Sequence, residues 1–145
     1  MKINQKGLDL IKSFEGLELE AYLCPAGVWT IGYGRTTDVQ PGDKITTEQA
    51  EKWLLEEIKN CERYVDFLVA VPITFNQKWA LISFVYNVGS MAFRKSTLLK
   101  LLNKRDYAGA VNEFSKWNKA DGQVLLGLTK RRTEEAALFN TPDDV

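Results

Sequence analysis

The stretch EGLELEAYLCPAGVWTIGYG, residues 15–34, decides the organisation of this chain. It begins where an apolar, helix-like segment stops at Gly16, and it continues as aromatic and β-branched residues broken by glycine and proline. That pattern predicts a small antiparallel sheet with tight turns. The stretch also places a carboxylic acid, a thiol and a hydroxyl (Glu15, Cys24 and Thr30) close to a turn. Such groups could protonate a leaving group and direct a water molecule, as the cleavage of a glycosidic bond requires.

Two capping-box sequences mark the starts of the main helices. Thr46 is followed three residues later by Gln49, and Thr74 by Gln77, which is the spacing at which side chains and backbone cap each other. The first opens a helix of roughly twenty residues, which we expect to join two parts of the molecule. The second opens a helix that is apolar around most of its circumference, so we expect it to form the centre of the core.

The remaining periodicity predicts shorter helices. One covers residues 5–14 after the cap Asn4, and others are expected at about 96–103, 107–117 and 128–139. We expect strands only in the first third of the chain. The predicted fold class is therefore α+β and predominantly helical, in a single domain of 145 residues.

Composition excludes several classes of protein. Nineteen basic side chains balance nineteen acidic ones, so no overall field indicates nucleic acid or an anionic membrane as a partner. The chain has no histidine, which excludes Ser–His and Cys–His nucleophilic sites and removes the usual zinc ligands. We expect no metal and no organic cofactor. Acid–base chemistry must then fall to carboxylates, cysteine, lysine or tyrosine.

Two cysteines, Cys24 and Cys61, are too few for a disulfide scaffold. No apolar run approaches the ~20 residues of a membrane span, and the first residues lack the apolar run of a signal peptide. We therefore expect a soluble protein without stable membrane insertion, made in a cytoplasm where its thiols stay reduced.

Several separated motifs are typical of one family. They are Phe14-Glu15-Gly16, the WTIGYG run at 29–34, Phe75-Asn76-Gln77, Tyr86-Asn87-Val88-Gly89, and Gly127-Leu128 before Arg131-Arg132. In this order they closely resemble the bacteriophage-type lysozymes, or endolysins, of glycoside hydrolase family 24, over essentially the whole chain. The resemblance implies one lysozyme-like domain in which a sheet lobe (about residues 15–60) and a helical lobe (about 1–14 plus 61–145) flank a cleft.

The family pattern also implies a reaction. Glu, eight residues, Asp or Cys, five residues and Thr fall on Glu15, Cys24 and Thr30. By resemblance, the chain hydrolyses the β-1,4 bond between N-acetylmuramic acid and N-acetylglucosamine in bacterial peptidoglycan. Glu15 would be the general acid, which partial burial would help to keep protonated, while Cys24 and Thr30 assist the attack of water. Attack on the face opposite the leaving group implies inversion, and a covalent intermediate on Cys24, with retention, stays open as the minority mechanism.

Two positions depart from the common family pattern. Cys24 stands where many members have aspartate, and a thiol near its usual pKa of about 8.5 is mostly neutral at pH 7. It can act as an anion only with a lowered pKa, and the alternative is that it merely packs as a small apolar residue. Arg35 stands where many members have a histidine tied to the long helix, so we predict an ion pair between Arg35 and Glu57.

Further positions match the family only loosely. Five residues could line a sugar-binding cleft or equally serve the core: Tyr86, Asn87, Ser96, Asn112 and Trp117. The cluster of residues 130–132 could orient Glu15 or meet the anionic wall polymer, and equally it could form a charged helix face with Glu134 and Glu135.

Three functions stay open. The first is an endolysin muramidase that acts as a monomer on peptidoglycan glycan strands and waits in the bacterial host cytoplasm until a holin permeabilises the membrane. The second is a lytic transglycosylase, which needs Glu15 but neither Cys24 nor Thr30. The third is a catalytically inactive cell-wall-binding module, since a fold does not determine a function.

Overall fold

The computed structural model describes residues 1–144. Helices dominate it, and each strand pair is antiparallel, so the predicted α+β, mostly helical class is confirmed. In chain order the elements are α1 (Gln5–Glu15), β1 (Glu18–Leu23), β2 (Trp29–Gly32), α2 (Thr47–Leu68), α3 (Phe75–Val88), α4 (Ser90–Lys95), α5 (Thr97–Asn103), α6 (Tyr107–Glu113), a 3-10 turn (Phe114–Lys116), β3 (Lys119–Ala120), β4 (Gln123–Val124) and α7 (Leu126–Phe139).

The helices begin at the caps that the sequence indicates. The Asn4 side chain accepts a hydrogen bond from the backbone N–H of Gly7 at the start of α1. At α3 the capping box of Thr74 and Gln77 is complete in both directions. At α2 the Thr46 hydroxyl accepts from the backbone N–H of Gln49. These side chains satisfy N–H groups that have no partner inside the helix, and so they set where each helix starts.

Helix α3 is the centre of the core, as its all-round apolar sequence predicts. Its large side chains Trp79, Leu81, Ile82 and Phe84 are fully buried. It packs against α1, α2 and α7. Cys61 lies on the apolar face of α2 and is itself buried. The N-terminal helix therefore belongs to the same core as the C-terminal one.

The β1–β2 hairpin carries the thiol and the hydroxyl of the candidate site. Its register pairs Tyr22 with Thr30, so Cys24 follows at the turn. The backbone N–H of Cys24 donates to the carbonyl of Val28 at 3.0 Å, and that of Gly27 donates to the carbonyl of Cys24 at 2.8 Å. Gly27 has φ +78°, a left-handed conformation that favours glycine. The turn thus returns the chain so that Cys24 and Thr30 are near neighbours.

The second half of the chain departs from expectation in three places. The prediction of strands only in the first third misses the short β3–β4 hairpin, which is formed by two residues on each side of the left-handed pair Asp121 and Gly122. The helix predicted over 107–117 ends at Glu113 and continues as a 3-10 turn. The short helix α4 was not expected at all. Pieces of two to six residues carry too little periodicity to be read from sequence.

Both ends of the chain meet at the first turn of α3. The Asn4 side-chain amide donates to the Asn76 side-chain oxygen at 2.8 Å. The Asn76 amide in turn donates to the carbonyl of Thr141 at 3.0 Å. The Asp143 carboxylate accepts from the backbone N–H of Asn76 at 2.8 Å and from that of Phe75 at 2.9 Å. One asparagine therefore links the beginning, the middle and the end of the described chain.

Candidate active site

Glu15 is the last residue of α1, and it is held through one of its two carboxylate oxygens. The helix stops at Gly16, whose φ is +69°. The Glu15 side chain is 17% exposed, and its Oε2 accepts a 2.8 Å hydrogen bond from Nη1 of Arg131. Its Oε1 faces Gly34, where a Cβ would lie 3.0 Å from that oxygen. One oxygen is thus bound by a cation, and the other points towards the strand region.

Arg131 is itself fixed by a buried network. Its Nη2 donates to the carbonyl of Ser83 at 3.2 Å, and its Nε lies 3.4 Å from Oε2 of Glu135. The Ser83 hydroxyl donates to the same carboxylate oxygen at 2.6 Å. Burial raises the pKa of Glu135, while Arg132, Ser83 and Arg131 oppose that rise. A carboxylate without solvent is tolerable there because two guanidinium groups and a hydroxyl surround it.

Arg132 completes the network on its other side. Its Nε lies 3.0 Å from Oε1 of Glu135, but the N–H is not directed at that oxygen, so the contact is ionic and not a hydrogen bond. Its Nη2 donates to the side-chain oxygen of Asn87 at 2.6 Å, and its guanidinium stacks 5.0 Å from the ring centre of Phe84. Burial lowers the pKa of Arg132.

The structure separates two of the alternatives for residues 130–132. The Arg131–Glu15 contact confirms the prediction that this cluster orients Glu15. The prediction of a charged surface face is wrong for Arg131 and Arg132, which are 3% and 1% exposed. Their partner is the fully buried Glu135, and the exposed Glu134 takes no part. These arginines therefore face inward from α7.

Cys24 carries a partly exposed free thiol. Hydrogen bonds to the sulfur lower the pKa of Cys24, chiefly one from the backbone of Val28, and Ala26 and the Thr30 hydroxyl act in the same direction. Partial burial works against them. The Thr30 hydroxyl also donates to the carbonyl of Val28 at 3.0 Å, and its single proton can serve only one acceptor at a time. The thiolate form at Cys24 is therefore favoured relative to an ordinary cysteine.

The acid and the thiol act on a common neighbour, Tyr22. Burial raises the pKa of Tyr22, and the negative charges of Glu18, Cys24 and Glu15 raise it further. Thr30 pairs with Tyr22 across the hairpin and is itself buried. Tyr22 thus lies within electrostatic reach of both Glu15 and Cys24, and it pairs with Thr30 across the hairpin.

The predicted ion pair between Arg35 and Glu57 is wrong. Both residues line a cavity of about 210 Å³, but within residues 1–144 they do not approach to 4.0 Å. The Arg35 guanidinium instead stacks over the Trp53 ring, 4.2 Å from its centre. A planar guanidinium gains both dispersion and cation–π attraction there, and this arrangement replaces the ion pair that the sequence indicated.

Two of the loosely matched residues contact groups next to those that surround Glu15. The Tyr86 hydroxyl donates to the carbonyl of Tyr33 at 2.6 Å, which joins α3 to the chain just before Gly34. Burial raises the pKa of Tyr86. Asn87 is exposed, and its side-chain oxygen binds Arg132. Both residues brace the site, and both keep some surface.

The other three loosely matched residues have different surroundings. Ser96 is buried, and its hydroxyl caps α5 and donates to the carbonyl of Phe93, so it offers a ligand no surface. Trp117 packs its ring edge-to-face with Phe84 at 5.4 Å, although part of it stays accessible. Asn112 is exposed on α6. Of these, only Trp117 and Asn112 are available to a substrate.

Sequence reasoning missed Ser83 and the approach of Gly34 to Glu15. Ser83 lies inside an apolar helix and 52 residues from Glu135, so no local pattern marks it. The spacing of Glu135 from Arg131 and Arg132 was visible, but its burial was not.

No metal site and no membrane span emerge from the part of the chain that the structure describes. Residues 1–144 bring together no group of three or more metal-ligating side chains. Among the helices of the same residues, none is both long enough and apolar enough to cross a bilayer.

The chain is similar to known proteins over nearly its whole length. The family model described as phage lysozyme matches residues 12–135. An endolysin from Acyrthosiphon pisum secondary endosymbiont phage 1 is 51% identical, over 97% of this chain and 99% of that protein. The muramidase domain of SpmX from Asticaccaulis excentricus superposes with a TM-score of 0.89 at 39% identity, over 97% of this chain and 99% of that one.

The third comparison is with two solved forms of one protein. The active form of the P1 phage endolysin Lyz superposes with a TM-score of 0.88 at 29% identity, over 95% of this chain and 84% of that one. The secreted inactive form of the same endolysin reaches 0.64 at 25% identity, over 94% of each chain.

Proposed function

Because the chain belongs to the phage lysozyme family, whose endolysins degrade the peptidoglycan of the cell wall, we propose that it is a muramidase. It hydrolyses the β-1,4 bond between N-acetylmuramic acid and N-acetylglucosamine. The observation that carries this proposal is the asymmetric setting of Glu15, with Oε2 bound by Arg131 and Oε1 directed at Gly34. A proton on Oε1 would be presented to a substrate between the strand region and the helices.

Glu15 acts first in the proposed reaction. It donates the proton on Oε1 to the glycosidic oxygen while the bond from that oxygen to C1 of the muramic acid breaks. The leaving sugar departs with a neutral hydroxyl, and Glu15 is left as a carboxylate. Arg131, 2.8 Å away, then stabilises the charge that has formed.

Cys24 and Thr30 act on the incoming water. The Cys24 thiolate accepts a proton from the water, whose oxygen forms the new bond to C1, and Thr30 orients that water through its hydroxyl oxygen. The lowered pKa of Cys24 supports this role, because it increases the fraction of the thiolate near neutral pH. The cysteine then loses its proton to solvent, Glu15 regains one, and attack on the far face inverts the anomeric centre.

The comparison with the P1 endolysin supports an active arrangement. This chain superposes well on the active form of that protein and much less well on its inactive form. This likeness supports a site that is already assembled in this chain.

A product analysis tests the proposal. Purified peptidoglycan is digested in isotopically labelled water by the wild type and by Glu15→Gln, and the products are examined by mass spectrometry and by NMR of the anomeric proton. We expect the wild type to place one labelled oxygen at C1, initially as the inverted anomer, and Glu15→Gln to be inactive. Anhydro products, lighter by one water, would establish a lytic transglycosylase instead. Binding without cleavage by both proteins would establish a wall-binding module.

We further propose that the protein works as a monomer and reaches the wall from the host cytoplasm when a holin permeabilises the membrane. Light scattering of the purified protein tests the first point, and a larger species would contradict it. Lysis of cells that express the chain with and without a holin tests the second, and rapid lysis without one would contradict it.

A further inference from the structure

A groove with no assigned role runs between α2 and the junction of α3 with α4. It has a volume of about 850 Å³, which is within the range of ligand-binding pockets. One wall is the α2 stripe of Glu57, Asn60, Tyr64 and Phe67, and the other includes Tyr86 and Gly89. The stripe residues recur at intervals of three and four, so they share one face of the helix.

Two aromatic side chains of this groove are unusually accessible. Phe67 is 84% exposed and Tyr64 is 48% exposed. They sit at positions i and i+3 on α2, so their rings are neighbours along the groove. Exposed apolar surface that lines a concavity is typical of a binding site.

The groove also offers one charge of each sign. Glu57 and Arg63 both line it and are exposed. Within residues 1–144, neither has an oppositely charged group within 4.0 Å. A ligand with its own carboxylate and amine could therefore pair with both without displacing an existing ion pair.

The groove is continuous with the candidate active site. Gly34 contacts Glu15 on one side and lines the 210 Å³ cavity on the other. That cavity shares Glu57 and Tyr86 with the groove. A substrate held at Glu15 can thus extend along α2 through the cavity and into the groove.

We propose that this groove binds the stem peptide that hangs from the muramic acid residue of peptidoglycan, an inference that rests on the proposed function. Ten residues separate Glu57 from Phe67, which is about 15 Å along a helix. An extended peptide of four residues spans about 13–14 Å, so the two lengths match. Arg63 takes a carboxylate of the stem peptide, Glu57 takes its free amine, and the alanine methyl groups pack on Tyr64 and Phe67. An uncharged glycan would leave both charges unused.

Binding of the isolated peptide tests this directly. The probe is the free stem tetrapeptide, with L-Ala, D-Glu, a diamino acid and D-Ala, and it is titrated into the 15N-labelled protein. We expect amide shifts at residues 57–67 and 86–90. Arg63→Glu and Phe67→Ala should each raise the dissociation constant about tenfold, because each removes one good contact. Lys59→Glu, an equal charge change on α2 outside the groove, is the matched control and should bind as the wild type does. Shifts elsewhere, no binding, or equal weakening in the control would overturn the proposal.

An activity measurement keeps this proposal separate from the proposed function. The same variants are assayed on intact peptidoglycan and on glycan strands stripped of peptides by an amidase. We expect Arg63→Glu to raise KM about tenfold on the intact substrate, with no effect on the stripped one. If the wild type cleaves walls but the variant loses nothing, the groove proposal fails and the muramidase stands. If the wild type cleaves neither substrate, the muramidase proposal itself fails.

Discussion

The two halves of the candidate site are built in opposite ways. On the helical side, Glu15 is held by Arg131 within a cluster whose charged members Arg131, Arg132 and Glu135 are at most 3% exposed. On the strand side, Cys24 stands at a hairpin turn, where backbone groups of the turn and the Thr30 hydroxyl surround its sulfur.

The helical side therefore fixes the position of Glu15, whereas the strand side sets the pKa of Cys24. In a dry cluster the charges are strongly coupled, so the position of Glu15 depends on the stability of the whole core. At an exposed turn, a few backbone dipoles set the ionisation of the thiol and little stability depends on it. Substitutions on the helical side should therefore affect folding, and substitutions on the strand side should affect chemistry.

The largest effect is expected from Glu135→Leu. It leaves two buried guanidinium groups without their counter-charge, which should lower the free energy of unfolding by about 3–5 kcal/mol. Urea unfolding measures this. The control is Glu134→Leu at the exposed neighbouring position, which should change the free energy by less than about 0.5 kcal/mol. Equal effects of the two substitutions would show that the cluster is not what holds the helical side.

Cys24→Ser should show the reverse pattern. Without an ionisable thiol the water loses its base, so kcat should fall at least about a hundredfold, while urea unfolding stays within about 0.5 kcal/mol of the wild type. Cys24→Asp should keep activity. The matched control is Cys61→Ser, which buries a hydroxyl and should cost roughly 1–3 kcal/mol of stability but leave the activity of the folded enzyme intact. Full activity in Cys24→Ser would assign the thiol to packing.

The pH profile sharpens the assignment of the base. The proposed reaction needs Cys24 as a thiolate and Glu15 protonated, so kcat/KM should have a bell-shaped dependence on pH. One of its two limbs should reflect the pKa of Cys24, which lies below that of an ordinary thiol. In Cys24→Asp this limb should move to the carboxylate range near pH 4. An unchanged profile in Cys24→Asp would point to another base.

A comparison of Gly34→Ala with Gly16→Ala distinguishes the effect of backbone strain from the effect of displacing Glu15. Both glycines have positive φ, +83° and +69°, so each substitution should cost about 1–2 kcal/mol of stability. Only at Gly34 does the added Cβ come within 3.0 Å of Glu15, while nothing lies within 4 Å at Gly16. Turnover should fall about tenfold in Gly34→Ala alone, because a small displacement of the acid is costly. Similar turnover in the two variants would argue against this contact.

The smallest effect is expected from the Arg35 stack. Arg35→Gln should lose about 0.5–1 kcal/mol of stability with the cation–π contact to Trp53. Glu57→Gln should be nearly neutral, and a double-mutant cycle should find a coupling close to zero. A coupling energy above about 0.5 kcal/mol would show that Arg35 and Glu57 do form an ion pair.

Whether a feature could be predicted from sequence depends on how far apart along the chain the interacting residues lie. Caps at Asn4, Thr46 and Thr74 depend on residues three positions away, and all three were found. The helical class and the buried α3 follow from periodicity over a dozen residues. Arg131 and Glu15 are 116 residues apart. Because no local pattern reports a contact over that distance, the sequence left a charged helix face open as an alternative role for Arg131.

The missed features depend on burial or on competition between partners. The spacing of Glu135 from Arg131 and Arg132 is the same for a solvated helix face as for a buried cluster. Arg35 had two attractive neighbours on α2, an acid and an indole, and charge pairing alone suggested the wrong one. Ser83 sits among apolar residues of α3 and has no local signal.

The meeting of both chain ends at Asn76 bears on the synthesis of the protein. The ribosome synthesises α1 before the residues that hold it, which lie on α3 and α7, and Asp143 of the junction follows α7. The Glu15 carboxylate likewise waits for Arg131. A nascent chain therefore cannot assemble this site until α7 has been synthesised.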